Sequence, residues 1–414
     1  MRSRVVIIGT GGRANAYVSD GLQEEFELVG ITDPNPKNRK VFLGLNNLVG
    51  LVPEFDDYQT MLGAVGEIDG AIVCTPNHLH VEPTLELMRR GVPIALEKPI
   101  GESPHSCQAL LEAKRKYNAR VLIGFGMRSS LFYQKAKQWV SEGRIGRIVS
   151  VQADEFPHIL STNAIFRSEW RRFKSMSGGS LNEKCCHDLD MLNWIIDSEP
   201  RHVFSFAGRN SLTPRPAMPD KCSDCLITAE CAYYLPESVY DHPAMYNTAN
   251  DGLLYKFTRD NSSCIYNNGH DLNDHQQVLI SFANGASACL TMDFSAKGRV
   301  CGRTLKIIGT EGAIFGKVED NSIALQNKNT DALEVADLSD PKNELSMNRI
   351  HGLRFSRLIR DPGFQPDATI EAAFLASMTA FAADRSAENH TVESLEEAVS
   401  LSLHRTEPIQ SGTA

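Results

Sequence analysis

Short apolar runs alternate with longer amphipathic segments over the first 126 residues of the chain. The runs are rich in Val and Ile, which is typical of strands that are covered on both faces in a parallel sheet. We predict strands at residues 5–8, 26–32, 68–74, 92–96 and 121–125, and helices at residues 81–90 and 106–117. This alternation predicts an α/β domain, residues 1–126, built on a doubly wound parallel sheet.

The remainder of the chain, residues 127–414, has a different pattern in which strand-like segments follow one another. We predict strands at residues 148–156, 202–208, 277–282, 286–294, 304–309 and 323–326, and helices at residues 181–196, 370–385 and 394–403. An open-faced, mainly antiparallel sheet with helices on one face is the simplest α+β assembly of these elements. Substrate choice would then depend on loops, which we place at residues 159–167 and 240–251.

Composition and charge narrow the class of protein. The 414 residues are 42% hydrophobic and 22% charged, and no apolar stretch approaches the roughly 20 residues needed to cross a bilayer. The net charge of −9 argues against a nucleic-acid partner, which would require a basic surface. Met1 to Arg4 lead straight into the first strand without a signal peptide, so we expect a cytoplasmic protein.

A glycine-rich turn follows the first predicted strand. The segment Gly9-Thr10-Gly11-Gly12-Arg13-Ala14 has the G-x-G-x-x-A spacing of a Rossmann dinucleotide-binding turn. Asp33 ends the second strand at the distance expected of a carboxylate that grips the adenosine ribose, which favours NAD over NADP. Two alternatives stay open: Asp33 and Pro34 could simply start a turn, and Lys37 or Arg39 could still neutralise a 2′-phosphate.

The tripeptide Glu97-Lys98-Pro99 follows the apolar run at residues 92–96. Ligands of open α/β sheets bind at the carboxyl ends of the strands, so Lys98 is the first catalytic candidate. The alternative is an exposed lysine that terminates a strand. The turn Thr75-Pro76-Asn77 follows another strand end and could contact the ribose and phosphates, whereas His78 and His80 could be ordinary loop residues.

The predicted helix at residues 181–196 carries Glu183, His187 and Asp190 at a spacing that places them on one face. Glu183 would orient His187, which would act as the general acid or base for an alcohol proton. Lys98 would then position the reacting oxygen. The alternative is a surface helix with an i,i+4 pair, although the preceding Gly178-Gly179 permits a close approach to a ligand.

Together these residues resemble the Gfo/Idh/MocA oxidoreductase family. The resemblance rests on the glycine turn, the Thr75-Pro76-Asn77-His78 turn, Glu97-Lys98-Pro99, Trp170-Arg171 and the segment from Gly178 to Asp190. It implies Lys98, His187 and Glu183 as catalytic residues. It implies substrate contacts from Lys98, Arg128, Glu183, His187 and Asp190. It implies cofactor contacts from Gly9, Thr10, Gly11, Gly12, Arg13, Asp33, Thr75, Pro76, Asn77, His80, Glu97, Lys98, Trp170 and Arg171.

The chain departs from the family pattern before the histidine. Many members have an aspartate where this chain has Glu183, and Cys185-Cys186 replaces a glycine-containing segment, so the division of labour between Glu183 and His187 is open.

The resemblance implies an NAD(P)-dependent dehydrogenase that acts on the CH–OH group of a sugar, sugar derivative or inositol-like polyol. Two alternatives remain: a glycosidase-type enzyme that works by transient oxidation and elimination, and a catalytically silent nucleotide sensor. We expect a homodimer or homotetramer, because an exposed sheet of this size would leave an apolar patch.

Four of the ten cysteines have a spacing that suggests a structural zinc site. Cys222, Cys225 and Cys231 lie in a probable insertion at about residues 212–265, and Cys264 is a possible fourth ligand. The alternatives are packed free thiols or a disulfide.

Overall fold

Two β-sheets organise the fold, as seen in a computed structural model that describes residues 2–18, 24–234, 263–339 and 347–403. The first sheet has six parallel strands in the order β3-β2-β1-β4-β5-β6. Its strands are β1 (Ser3–Ile8), β2 (Phe26–Thr32), β3 (Glu54–Phe55), β4 (Gly70–Val73), β5 (Ile94–Leu96) and β6 (Val121–Ile123). This is the strand order of the Rossmann fold, with its crevice between β1 and β4.

Five helices connect these strands: α1 (Gly12–Ala16), α2 (Pro36–Leu45), α3 (Tyr58–Ala64), α4 (Val81–Arg89) and α5 (Pro104–Lys116). Their starts follow from local sequence. Asn35, Asp57 and Ser103 each accept a backbone N–H of the helix that they cap. Pro36 and Pro104 occupy the first turns of α2 and α5, where a missing N–H costs nothing.

The second sheet has nine strands in the order β14-β13-β12-β11-β7-β10-β9-β8-β15, and only β7 and β10 pair in parallel. Its first strands are β7 (Ile148–Phe156), β8 (Pro200–Gly208), β9 (His275–Phe282) and β10 (Ser287–Asp293). The others are β11 (Gly302–Gly309), β12 (Gly312–Lys317), β13 (Ser322–Asn327), β14 (Leu333–Asp337) and β15 (Glu393–Ser394). The predicted fold class is therefore confirmed.

The second sheet is covered on one face. Burial alternates along β9, so that Val278, Ile280 and Phe282 are buried while Leu279 between them is half exposed. Two long helices, α9 (Ser180–Ile196) and α11 (Ile370–Asn389), pack against each other and against this sheet. The remaining helices of the described residues are α6 (Leu131–Ser141), α7 (Ile159–Phe166), α8 (Lys174–Ser177), α10 (Met347–Arg360) and α12 (Glu396–Leu403).

Helix α10 returns to the first sheet. The Phe355 ring lies 5.6 Å from that of Phe26, and a Cβ on Gly70 would press on Ile359 and Phe355. Arg120 donates to the backbone carbonyls of α10 and of the turn that follows it. A C-terminal segment therefore packs on the N-terminal sheet, although the boundary at residue 126 stays a prediction.

Several elements differ from the sequence prediction. Residues 159–167, predicted as a loop, form helix α7, because Ile159, Ile165 and Phe166 pack inward against distant parts of the chain. Helices α2, α3, α6 and α10 and strands β3, β12, β14 and β15 were not predicted. The loop placed at residues 240–251 lies outside the described residues. Within the described ranges, the structure has no helix with the length and apolarity of a membrane span.

Gly309 provides a test of the packing beside the second sheet. A Cβ at Gly309 would overlap the backbone carbonyl of Ile145, so we expect Gly309→Ala to lower the free energy of unfolding by about 1–3 kcal/mol. The matched control is Gly44→Ala in α2, which has nothing within 4 Å of the added methyl and should gain about 0.5–1 kcal/mol. Urea unfolding of both variants measures this; equal stabilities would contradict the packing.

Candidate active site

A cleft of about 760 Å³ opens at the carboxyl ends of β1, β4 and β5. Its opposite wall is formed by α7, the segment that follows α7, and the first turn of α9. The cleft thus lies between the two sheets, at the point where the strand order of the first sheet reverses, which is where ligands of open α/β folds bind.

The glycine-rich turn occupies one end of this cleft. Gly9 has φ +88°, and a Cβ there would lie 2.8 Å from the backbone of Cys74, so only glycine fits. A Cβ added to Gly11 would meet no atom within 4 Å, so this residue faces open space. Gly9, Gly11, Gly12 and Arg13 line the cleft as predicted. Thr10 does not, because it is fully buried and its backbone N–H donates to Asp33.

Asp33 stands at the end of β2 and lines the same cleft. Its carboxylate accepts from the backbone N–H groups of Thr10 and Asn35 at 3.0 and 2.9 Å, and from the side-chain amide of Asn38. Arg39 instead donates to the Asp33 backbone carbonyl and pairs with Glu54 and Asp56. Neutral donors therefore hold the Asp33 carboxylate in place beside the cleft.

Glu97 lies beneath the glycine turn and ties it to β5. It is 3% exposed and forms an ion pair with Arg13 at 2.8 Å, while the Tyr17 hydroxyl donates to the same oxygen at 3.1 Å. Burial alone would raise the pKa of Glu97, but the charge and hydrogen bond of Arg13, with the nearby His351 and Lys98, together outweigh burial and lower it. Glu97 is therefore an ionised anchor that fixes Arg13 at the edge of the cleft.

Lys98 reaches across the cleft from the end of β5. Its Nζ donates to the backbone carbonyl of Glu183 at 2.8 Å, which connects the first sheet with helix α9. The peptide bond between Lys98 and Pro99 is cis. Lys98 lines the cleft beside Glu97 and Glu183. A cation is thus placed at the strand end, as the sequence predicted.

The turn after β4 contributes both to the wall of the cleft and to its support. Thr75, Pro76, Asn77 and His78 line the cleft, and the Thr75 hydroxyl is buried with no partner among the described residues. His80 was predicted as a cofactor contact, and this is wrong for the observed conformation. Its ring is fully buried, with the nitrogens 2.9 Å from the carbonyl oxygens of Thr75 and Pro99.

Glu183 faces the cleft from the first turn of α9, but it does not orient His187. Its oxygens accept from Arg171 Nε at 2.9 Å and from the Asn77 amide at 2.7 Å. Arg171 in turn lies 4.4 Å from the Trp170 ring, and both residues line the cleft. The predicted contact between Glu183 and His187 does not form. Arg171 and Asn77 bind the carboxylate instead, because they bring an opposite charge and an aligned amide to it.

His187 lies one turn along α9 and is partly exposed. Its ring is 5.5 Å from that of Phe125, and its Nδ1 has no hydrogen-bond partner among the described residues. Burial lowers the pKa of His187 well below the ordinary value, and the positive charges of Lys98 and Arg303 lower it further. The imidazole is therefore neutral near pH 7 and has a nitrogen that can accept a proton.

Arg128 and Asp190, which were predicted as substrate contacts, instead bind each other. Arg128 Nη2 lies 2.6 Å and Nε 2.8 Å from the two carboxylate oxygens, and the residues are 6% and 0% exposed. Arg128 also donates to the Asp367 backbone carbonyl and packs 5.5 Å from the Trp194 ring. Neither residue lines the cleft, because a bidentate, desolvated pair uses the donors and acceptors that a substrate would need.

Several residues of the cleft were not predicted from the sequence. Lys184 lines it and forms an ion pair with Glu155 at 3.2 Å. Arg303 does not itself line the cleft, but it bridges Glu155 and Asp188 at 2.8 Å each. Lys184 could have been predicted as a cleft residue, because it directly follows Glu183 in the sequence. The other missed residues lining the cleft include Asn35, Asn38, Tyr58, Gln59, Ser161, Ala164, Ile165, Ser168 and Glu169.

The four cysteines predicted as zinc ligands come together. Cys222, Cys225, Cys231 and Cys264 line one cavity of about 10 Å³. Among the described residues, no group of three or more His, Cys, Asp or Glu side chains is already arranged to hold a metal ion. The zinc site therefore stays a prediction.

A Rossmann-type sheet whose cleft is completed by a helix packed on a second, open-faced sheet is typical of nucleotide-binding enzymes. Residues 3–125 match the oxidoreductase family with an NAD-binding Rossmann fold, and residues 133–315 match the GFO/IDH/MocA C-terminal domain. The chain belongs to the Gfo/Idh/MocA oxidoreductase family, as the resemblance indicated.

Relatives of known name agree with this membership. The protein YteT of Bacillus subtilis is 27% identical over 331 residues, which cover 75% of this chain and 76% of YteT. Levoglucosan dehydrogenase of Pseudarthrobacter phenanthrenivorans is 25% identical over 280 residues, 67% of this chain. Inositol 2-dehydrogenase of Rhizobium meliloti is 25% identical over 210 residues, 50% of this chain. The matches cover only 60% and 59% of these two dehydrogenases.

Solved structures share the fold. A levoglucosan dehydrogenase in complex with NADH has a TM-score of 0.73 at 19% identity, over 95% of this chain and 99% of that chain. An aldose-aldose oxidoreductase from Caulobacter crescentus has a TM-score of 0.69 at 16% identity, over 95% of this chain and 100% of that chain. At such identities the likeness establishes the fold alone.

The charge of Lys98 provides a test of the electrostatics at His187. We expect NMR titration of the imidazole to give a pKa below the ordinary value of about 6.5, and Lys98→Met to raise it because a nearby positive charge is removed. Lys137→Met is the control, since Lys137 donates to the Trp194 carbonyl elsewhere. An ordinary pKa in the unmodified protein, or equal values in both variants, would contradict this arrangement.

Proposed function

We propose that this chain is an NAD-dependent dehydrogenase that transfers a hydride between the nicotinamide and a secondary alcohol of a sugar, sugar derivative or inositol-like polyol. One observation carries the proposal: a single cleft has the dinucleotide turn and Asp33 at one end and Lys98, bonded to helix α9, at the other. Named relatives that are levoglucosan, inositol and glucose-6-phosphate dehydrogenases support the substrate class.

The residues of the cleft fit a dinucleotide. The open space at Gly11 lets a pyrophosphate approach the backbone, and the start of α1 adds the positive end of a helix. The Asp33 carboxylate suits two ribose hydroxyls, and the unpartnered Thr75 hydroxyl offers one more hydrogen bond. NAD, when bound, supplies the hydride acceptor or donor. A 2′-phosphate would face the negative charge of Asp33, which favours NAD over NADP.

Lys98 and His187 divide the proton and charge chemistry. The neutral His187 imidazole accepts the alcohol proton when the carbonyl product forms, and returns it in the reverse direction. Lys98 keeps its ammonium near the reacting oxygen and stabilises negative charge that develops there. Glu183 acts indirectly, because its bonds to Asn77 and Arg171 fix the walls on both sides of the substrate.

The test is an assay of the purified chain with NAD or NADP and a panel of sugars, glycosides and inositols. We expect NADH to form with one substrate class, and Lys98→Met to lower kcat about 10²–10³-fold with little change in NAD affinity. Lys137→Met is the control for loss of a lysine outside the cleft. An equal loss of kcat and of NAD affinity in Lys98→Met would contradict the catalytic role.

The same assay separates the alternatives. Glycoside cleavage without NADH accumulation would favour transient oxidation and elimination. A 2,7-anhydro-N-acetylneuraminate hydratase of Escherichia coli is a relative, but it matches only 34% of this chain. Nucleotide binding without turnover of any substrate would favour a sensor.

We further propose that two copies of the chain associate through the open face of the second sheet. Phe206 and Leu279 stand on that face and are 59% and 52% exposed, and the Phe204 ring packs 4.9 Å from that of Phe206. A second copy would cover these apolar side chains with the same residues.

We expect the double variant Phe206→Glu, Leu279→Glu to form a smaller species than the unmodified chain, as measured by light scattering. The control Leu51→Glu, at a 72% exposed residue of the first domain, should keep the assembly. A monomeric unmodified chain would refute the proposal.

A further inference from the structure

Four cysteines, one of them distant in sequence from the other three, converge outside the cleft. Cys222, Cys225, Cys231 and Cys264 line a cavity of about 10 Å³, which has room for one water-sized guest. Cys264 is more than thirty residues from Cys231, so the tertiary fold and not the local spacing brings it there. All ten cysteines are free of disulfides, and the other six do not line this cavity: Cys74, Cys107, Cys185, Cys186, Cys289 and Cys301.

The backbone explains the convergence. Lys221 and Ser263 form an isolated antiparallel bridge, and the Cys264 N–H donates to the Asp220 carbonyl at 2.7 Å. Cys222 and Cys264 each follow a residue of this antiparallel bridge, so they are diagonal neighbours on the same face and both line the cavity. The Cys225 N–H donates to the Cys222 carbonyl at 3.2 Å, which closes a tight turn and brings those two side chains to the same place.

The described part of the insertion around these cysteines has little core of its own. Its regular structure at the cluster is the single turn Cys222–Asp224, while Leu226 is fully exposed and Ile227 is 39% exposed. Only a few apolar residues there, such as Tyr233 and Ile265, are buried. Small segments with so little buried apolar surface are commonly held by a disulfide or a metal ion.

A buried cation accompanies the thiols. Arg167 is 2% exposed, lines the same cavity and contacts Cys222. Its guanidinium would offset part of the negative charge that several thiolates bring into one place. Arg167 Nη2 also donates to the Tyr233 carbonyl at 3.0 Å, which binds it to the insertion.

Arg167 also links the cluster to the cleft. It follows helix α7, whose Ser161 and Ile165 line the cleft, and it precedes Trp170 and Arg171. Asn268, just after the insertion, donates to the Phe166 carbonyl at 2.6 Å. This hydrogen bond holds the end of α7 against the segment that contains the cysteines. The cluster therefore lies directly behind the wall that carries Trp170 and Arg171.

We propose that Cys222, Cys225, Cys231 and Cys264 bind one Zn²⁺ ion as four thiolates, and that this ion holds the wall formed by α7 and Trp170-Arg171. Four sulfur ligands select a tetrahedral metal and leave no open position, so the role is structural. The thiols release their protons to solvent on binding, with no change of redox state. Among the described residues no three donors are arranged to hold a metal ion, so the proposal requires the turns to close around the ion as it binds.

The first measurement is elemental analysis of the full chain purified under reducing conditions. We expect one zinc per chain, retained on gel filtration, and its loss in Cys222→Ser and in Cys264→Ser. Cys289→Ser is the matched control. Cys289 lies on β10 away from the cluster, so this variant should retain its zinc. Zinc lost equally from Cys289→Ser would indicate adventitious metal and overturn the proposal.

A second measurement avoids dependence on how the variants fold. Removal of zinc from the unmodified chain by a mercurial reagent, followed by Co²⁺, should give the visible absorption of tetrahedral cobalt thiolate. An unmodified chain without metal, a disulfide among these cysteines by mass spectrometry, or iron in place of zinc would each refute the proposal. Metal content is read without substrate, so it can fail or hold independently of the dehydrogenase activity.

Discussion

The contact between Lys98 Nζ and the Glu183 carbonyl is the interaction on which the site depends. It joins the end of a parallel strand to the first turn of a helix from the other sheet. Together with the Asn182 amide, which donates to the Gly101 carbonyl at 3.0 Å, it holds the dinucleotide turn and helix α9 around one cleft. Asn77 and Arg171 reinforce the same junction by binding the Glu183 carboxylate from either side of the cleft.

This junction also sets the charge state of the groups around it. Burial lowers the pKa of His187, and the cations that gather there lower it further. In the function that we propose, the neutral imidazole takes the alcohol proton and the Lys98 ammonium stabilises the oxygen. Glu97, held ionised by Arg13, keeps the glycine turn in register with Lys98.

Several polar residues that the sequence assigns to the cleft support the surrounding structure instead. Asp190 forms a buried ion pair with Arg128, which connects α9 to the turn after β6. His80 supports the turns at Thr75 and Pro99 from behind. Such residues are polar and lie near the motifs, so sequence alone assigned them to the cleft. Their partners come from distant parts of the chain, and only the fold could reveal that they were already engaged.

The sequence by itself determined the parallel sheet, the glycine turn, Asp33 and Lys98, because strand periodicity and motif spacing are local properties. It also determined the helix that carries Glu183 and His187. Only the tertiary structure decided which partner each polar group takes, that residues 159–167 form a helical wall, and that Cys264 joins the other three cysteines. The reason is physical: partner choice depends on burial and on contacts between residues far apart in the chain, which no local pattern encodes.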